Sequence, residues 1–319
     1  MTNEQLDKIL AKIPTDKVYE DILQPSLKKA GEALSNVFDL GNLIMLPFKL
    51  VNERSRIYLK KNLERYEKKL EKIDENELCQ VSEHIGLPIL DKLTLVNQEE
   101  LSEVFVNLLT KASTTKTLYL IHPSFFNILN NLSQDEAIIL FANKECKPIP
   151  FIDIYLEKKT SSVPKPQHFD IRGAKSKEEL LEKADYIDSI EHVSIKLAFN
   201  LTGIEKDMKL YFPQNIDIYL ENLERSGIIT FERELHYKKY DDTYEYLIGN
   251  VYNELVEKYE KDSKELKYDN TEFSTSTRRC LIEFTDFGKA FIDAVIKDIE
   301  EINHNNIFST LVLSTYVFI

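Results

Sequence analysis

The chain has 319 residues, 43% hydrophobic and 30% charged, enough apolar material for one large core or two modest ones and unlike a disordered polymer. Its formal net charge of −13 repels polyphosphate, which argues against general affinity for nucleic acid. Cys79, Cys146 and Cys280 are far apart, odd in number and without a CxxC pair, which argues against a disulfide framework or a structural zinc site.

The first residues, MTNEQLDKILAKIPTDK, lack the basic-then-apolar order of a secretory signal, and no clean run of 18 apolar residues follows anywhere. A cytoplasmic location is expected. Val18, Ile22, Leu23, Leu27, Ala30 and Leu34 recur at helical spacing. Residues 34–51 are apolar but interrupted by Asp39, Gly41, Pro47 and Lys49. Residues 52–73 then place Leu59, Leu63, Tyr66, Leu70 and Ile73 in an a/d seam, predicting one long helix against a partner helix. That stretch holds eight Lys/Arg against four Glu. An apolar segment with a cationic flank suits the surface of an anionic membrane. Leu43, Ile44, Leu46, Phe48, Arg54, Arg56, Lys60 and Lys61 are its candidate contacts, and a core-buried hairpin is the competing reading.

Residues 80–146 read as a helical domain. Asn97 with Glu100 has the spacing of a helix cap and its partner, and Leu101, Val104, Phe105, Leu108 and Leu109 follow on one face. A helix is expected from Pro123, whose fixed φ suits a first turn, and Ser133 with Glu136 predicts a capping box. PIPFIDIYLEKK then alternates as a strand, and residues 159–167 read as a linker. Ser176 with Glu179 starts another helix, while HVSIKLAFNL is compatible with strand or helix.

Ile216, Tyr219, Leu220 and Leu223 form a helix face that Gly227 ends, with a strand leaving at Ile228. Residues 243–267 predict a charged helix, and residues 280–298 a strand, a cap at Thr285 and a helix. The expected fold is α+β and predominantly helical: an N-terminal helical bundle, then a winged-helix-like region with a helical insertion. Four segments result, 1–79, 80–146, 147–300 and an apolar tail 301–319.

Chemistry is sparse. Eight glycines are so dispersed that no phosphate loop forms, and GxSxG and HExxH are absent. Glu157-Lys158-Lys159 resembles one scrap of a metal-dependent nuclease, without the upstream Asp on a neighbouring strand. The helix that would read DNA carries Asp217, Glu221 and Glu224 against Arg225, and residues 232–272 hold twelve acidic and seven basic residues. Phosphates would be repelled. No cofactor, metal or catalytic residue is assigned, and the chain is expected not to be an enzyme.

Five stretches in order resemble the abortive-infection alpha family of bacterial phage-defence proteins. They are ELSEVFVNLLTKAS (100–113), IHPSFFNILNNLSQDEA (121–137), YLENLERSGIITF (219–231), YDDTYEYL (240–247) and IEFTDFGKAFIDAV (282–295). Ser226 before Gly227, and Ala294-Val295 where the family often has cysteine, are departures that read as packing changes. The resemblance implies a role in abortive infection and brings no catalytic residues. Together with the missing chemistry and the apolar-then-basic order of residues 37–73, it points to a binding or effector module whose partner is a protein or phage component, with peripheral contact at the inner face of the membrane as an option. His122, Pro123, Ser124, Phe125, Leu220, Leu223 and Gly227 are the candidate interaction residues. Homo-oligomerisation stays open, and nuclease or DNA-binding regulator are the alternatives.

Overall fold

The structure is a computed structural model that describes residues 27–37, 53–163, 165 and 176–301. In chain order the first helices are α1 Lys28–Ala33, α2 Glu53–Leu70, α3 Glu83–Leu93, α4 Glu99–Ala112, α5 Pro123–Asn130 and α6 Gln134–Ala142. Then come β1 Ile149–Ser161, α7 Lys177–Asp188, β2 Ile190–Leu201, α8 Ile204–Asp207, α9 Ile216–Arg225 and β3 Ile229–Glu232. The last elements are α10 Asp241–Tyr246, α11 Asn253–Glu265, β4 Thr271–Phe284 and α12 Asp286–Phe291. The fold is α+β and mostly helical. No helix among the described residues is long and apolar enough to cross a membrane.

Two compact units form. The first draws on the chain up to Cys146, on Ile218–Ile228 and on the chain from Phe284; the second is Lys147–Asp217 with Ile229–Glu283.

The seam of α2 organises the first unit. Leu59, Leu63, Tyr66, Leu70 and Ile73 are all buried, as their spacing demands. The polar residues between them serve helix ends. Glu67 accepts the backbone N–H groups of Lys29 (3.1 Å) and Ala30 (2.6 Å) at the start of α1. Asn62 Nδ2 donates to the carbonyls of Leu93 (3.0 Å) and Val96 (3.1 Å) after α3. These groups would otherwise be buried without partners, because the first N–H and last C=O groups of a helix have none inside it. Helix α4 is buried on nearly every side, and its Asn107 and Lys111 do the same work: Asn107 Nδ2 bonds Val295 O and Ile296 O, both at 3.1 Å, and Lys111 Nζ bonds Lys297 O. Burial pulls the Lys111 ammonium down to about 7.

Local sequence signals hold at several helix starts. Ser133 and Glu136 form the capping box of α6. His122 caps α5, its ring nitrogen accepting Ser124 N–H, with Pro123 in the first turn. Thr285 caps α12: its hydroxyl accepts Gly288 N–H at 2.8 Å and donates to Gly227 O. A Cβ at Gly288 would stand 1.9 Å from Ile228 O, so the glycine is what lets α12 approach that strand of backbone. The Asn97–Glu100 cap does not form. The helix starts at Glu99 with Gln98 at its cap position, Asn97 turns its amide to the Tyr58 hydroxyl, and Glu100 accepts from Gln134.

In the second unit the sheet runs β2-β1-β4-β3, with β1 antiparallel to both β2 and β4. HVSIKLAFNL is therefore strand, and Lys159 to Ser161, expected in a linker, extend β1. One core cluster is Ile152, Tyr244, Leu247, Tyr252 and Leu281. It explains why the charged helix expected over 243–267 is broken. Tyr244 to Leu247 is a helical step, but Leu247 to Tyr252 is five residues, and a π turn over Leu247–Val251 lets both tyrosines enter the same core.

Candidate functional site

Alternation along β1 puts Asp153, Tyr155, Glu157 and Lys159 on one face of the sheet. In β4 their partners are Arg278, Ser276, Ser274 and Glu272. In β2 they are Lys196 opposite Tyr155, Ser194 opposite Glu157 and His192 opposite Lys159. The pairing with β2 has two irregularities, between Ile152 and Ile154 and between Ile154 and Tyr155, and β2 carries one extra residue at each. Beyond the second, Lys196, Ser194 and His192 share a face with Tyr155, Glu157 and Lys159, so the face is polar across three strands.

Asp153 is fully buried. It accepts Asn200 N–H at 2.9 Å and the Tyr155 hydroxyl at 3.4 Å, pairs with Arg233 Nη1, and lies 3.6 Å from Lys196 Nζ. Asn200 reaches this position at φ 55°, a left-handed conformation that asparagine tolerates. Its side-chain oxygen accepts Arg233 Nη2 at 2.9 Å. The Arg233 guanidinium also lies 5.3 Å from the Phe151 ring and 5.0 Å from the Phe231 ring. Glu157 accepts the hydroxyls of Ser194 and Ser276, faces His192 Nε2 at 2.9 Å and Arg278 Nη2 at 3.7 Å. Burial pushes its carboxyl up, but the two hydroxyls, the imidazole and the guanidinium outweigh it and hold the group below its usual range.

Asp153 and Glu157 therefore lie in the floor with basic side chains above them, and Glu272 is exposed and paired with Lys165. Asp153 and Glu157 are buried, while the side chains of Arg278 and His192 are 48% and 50% exposed. Lys159, Ser194, Lys196 and Ser274 are exposed too. Arg278 lies with its guanidinium carbon 4.0 Å from the centre of the Tyr155 ring. Chemically the site presents oriented positive charge, hydroxyls and a stacked guanidinium plane. Glu157, a hydrogen-bonded carboxylate held below its usual range, is poorly suited to general-base work at neutral pH. Asp153 is four residues away, about 13 Å along the strand at ~3.3 Å per residue. Among the described residues no three His, Cys, Asp or Glu side chains cluster as metal ligands. Cys280 is buried beside this network, and burial raises its thiol to about 11, the environment of an inert thiol.

The residues singled out from sequence fall elsewhere. Phe125 is buried, with ring centroids 5.5 Å from Phe287 and 5.3 Å from Phe291, and Leu220 and Leu223 are buried as well. These three side chains are core of the first unit; the surface of the group is made by His122 and Pro123, with Ser124 half-buried. Gly227 sits at φ 73°, the left-handed conformation its place after α9 requires. Leu43, Ile44, Leu46 and Phe48, and the apolar tail 307–319, lie outside the described residues. Arg54, Lys60 and Lys61 are exposed on α2 and Arg56 is partly so. Sequence reasoning missed Arg233, Lys196, His192 and Arg278. The available signal was the alternation of polar residues at 192, 194 and 196, which the helix-or-strand ambiguity concealed.

No curated protein and no solved structure matches the chain. A family model described as Abortive infection alpha matches residues 58–295, a span that runs from within α2 through α12 and includes the whole polar face. The chain belongs to the abortive infection alpha family.

Proposed function

We propose that the chain serves abortive infection as a binding module, without catalysing a reaction, and that the polar face of β2, β1 and β4 is its contact surface. One observation carries this reading: the two buried carboxylates of the face are engaged by its own hydroxyls and cations and the exposed Glu272 is paired with Lys165, so what it offers outward is oriented positive charge. The nuclease alternative loses its motif under this reading, because Glu157 is engaged by Ser194 and Ser276 and lacks a second carboxylate beside it. Helix α9, the turn at Gly227, and strands β3 and β4 serve as a winged-helix-like scaffold, since α9 carries Asp217, Glu221 and Glu224 where a DNA reader needs cations. The test is a plaque assay in cells expressing the full chain at matched levels. Lys196→Glu with Arg278→Glu should abolish protection while the protein stays folded; undiminished protection refutes the reading.

A second reading has its own observation. Ile57 is 57% exposed on α2, with Arg54 and Lys61 three residues before and four after it, and Lys60 alongside. An exposed isoleucine among cations suits the surface of an anionic bilayer. Sedimentation of the protein with anionic vesicles should fall in Ile57→Asp with Lys61→Glu; equal sedimentation removes this contact.

A further inference from the structure

We infer that the polar face of the sheet binds single-stranded nucleic acid, a reading that rests on the proposal that this face is the contact surface. The chain as a whole is acidic, but charge is layered here. Asp153 and Glu157 lie beneath, buried, Lys196, Arg233 and Arg278 stand over or beside them, and Lys159 is exposed on the same face. Glu272, opposite Lys159, is paired with Lys165. Asp217 is engaged by Asn200 Nδ2 at 3.3 Å. A ligand approaching from solvent therefore meets cations first, and Coulomb energy falls with distance to the buried anions.

Part of the donor set is left over. Arg278 uses Nη2 on Ser194 Oγ at 3.1 Å and towards Glu157, which among the described residues leaves Nη1 and Nε for a ligand. Lys159 is exposed, and no described residue pairs with it. Exposed Ser274 adds a hydroxyl, and Ser194, whose hydroxyl is spent on Glu157, is a short side chain beside it, so an extended backbone can lie close to the sheet.

Stacking decides the class of ligand. Arg278 is held with its guanidinium carbon 4.0 Å from the centre of the Tyr155 ring and its side chain 48% exposed, and Lys196 Nζ lies 5.1 Å from the Phe199 ring. A guanidinium plane backed by an aromatic ring is a platform for an unstacked base, and base stacking with phosphate contacts is how single strands are held without sequence reading. An acidic peptide would use the charge and leave the platform idle. A duplex buries its bases and asks for a cationic element in a groove, which α9 with its three carboxylates does not supply.

The test uses the purified full chain and fluorescence anisotropy with labelled uridine and thymidine oligomers of about 15 nucleotides, near the upper site size of one sheet. Binding is expected, and with three phosphate contacts it should weaken roughly 20-fold between about 50 and 200 mM salt. Lys159→Glu, at an exposed position with no described partner, should weaken binding about tenfold for the charge reversal. Arg278→Lys should weaken binding while keeping the salt slope, because it keeps the charge and loses the plane. Absence of binding at low salt, binding unaltered by Lys159→Glu, equal competition by polyglutamate, or preference for a duplex of the same length would each overturn the inference. Its failure is separable from that of the contact surface. If oligomers do not bind but Lys196→Glu with Arg278→Glu still loses phage protection, the surface stands with another ligand. If oligomers bind and protection persists, the surface reading falls.

Discussion

The two units use polar side chains in opposite ways. In the first, Asn62, Glu67, Asn107 and Lys111 are buried and spend their hydrogen bonds on backbone groups at helix ends. In the second, Asp153, Glu157, Arg233 and Arg278 bond mainly to other side chains and bring half of the partners to the surface. The first pattern makes a scaffold, since an uncapped buried carbonyl is costly and a capped one is silent. The second makes a presented surface, since a cation held by a buried anion keeps its orientation but shows its outer side to solvent. For these eight residues the partner separates the two uses: backbone partners go with the scaffold, and side-chain partners go with the face.

Four measurements can break or sharpen that contrast. The largest effect is expected in the scaffold. Gly288→Ala would set a methyl 1.9 Å from Ile228 O, a backbone atom that cannot swing aside, and should cost about 3 kcal/mol or more in urea unfolding. Next, Asn107→Leu leaves Val295 O and Ile296 O unpaired and should cost about 2 kcal/mol without altering ligand binding at the sheet face. If binding fell instead, the separation of roles would be wrong.

Glu157→Gln probes the face. The native carboxyl lies below its unfolded value, so its stabilisation is fully present above about pH 4.3 and fades as pH drops through the lower folded value. Unfolding midpoints should therefore separate wild type from Glu157→Gln at pH 7 and converge in acid as pH falls below the lower folded value. A deficit that persists in acid would mean that the oxygen's shape, and not its charge, holds Ser194 and Ser276. The smallest effect is expected at Gly249, which is exposed, with open space where a Cβ would go. Gly249→Ala should be neutral or stabilising by about 0.5 kcal/mol, through the unfolded chain.

Much of the scaffold was legible because its signals are local. The a/d seam of α2, the Ser133–Glu136 box, Pro123 after a capping residue, the left-handed Gly227 and the Thr285 cap each need a few neighbouring residues and one periodicity. The Asn97 misreading is a one-residue matter of where α4 begins. The face was hidden because it is non-local. Which side of β2 carries Lys196 is settled by two irregularities in its pairing with β1, and Arg233 enters from beyond β3. Summing charge along 232–272 counts acids that do not share the face, so the total pointed away from the local sign. The π turn escaped for a related reason: only the shared core of Tyr244 and Tyr252 calls for a five-residue step.

The chain passes from one unit to the other at residues 146–147, 217–218, 228–229 and 283–284. During synthesis the helical unit cannot close until Ala294, Val295 and Ile296 have left the ribosome, and by then every strand of the sheet has emerged. Neither unit is a contiguous stretch that gene exchange could lift out intact. A change confined to the face is therefore most simply made by point replacement in β1, β2 or β4, with the rest of the framework kept.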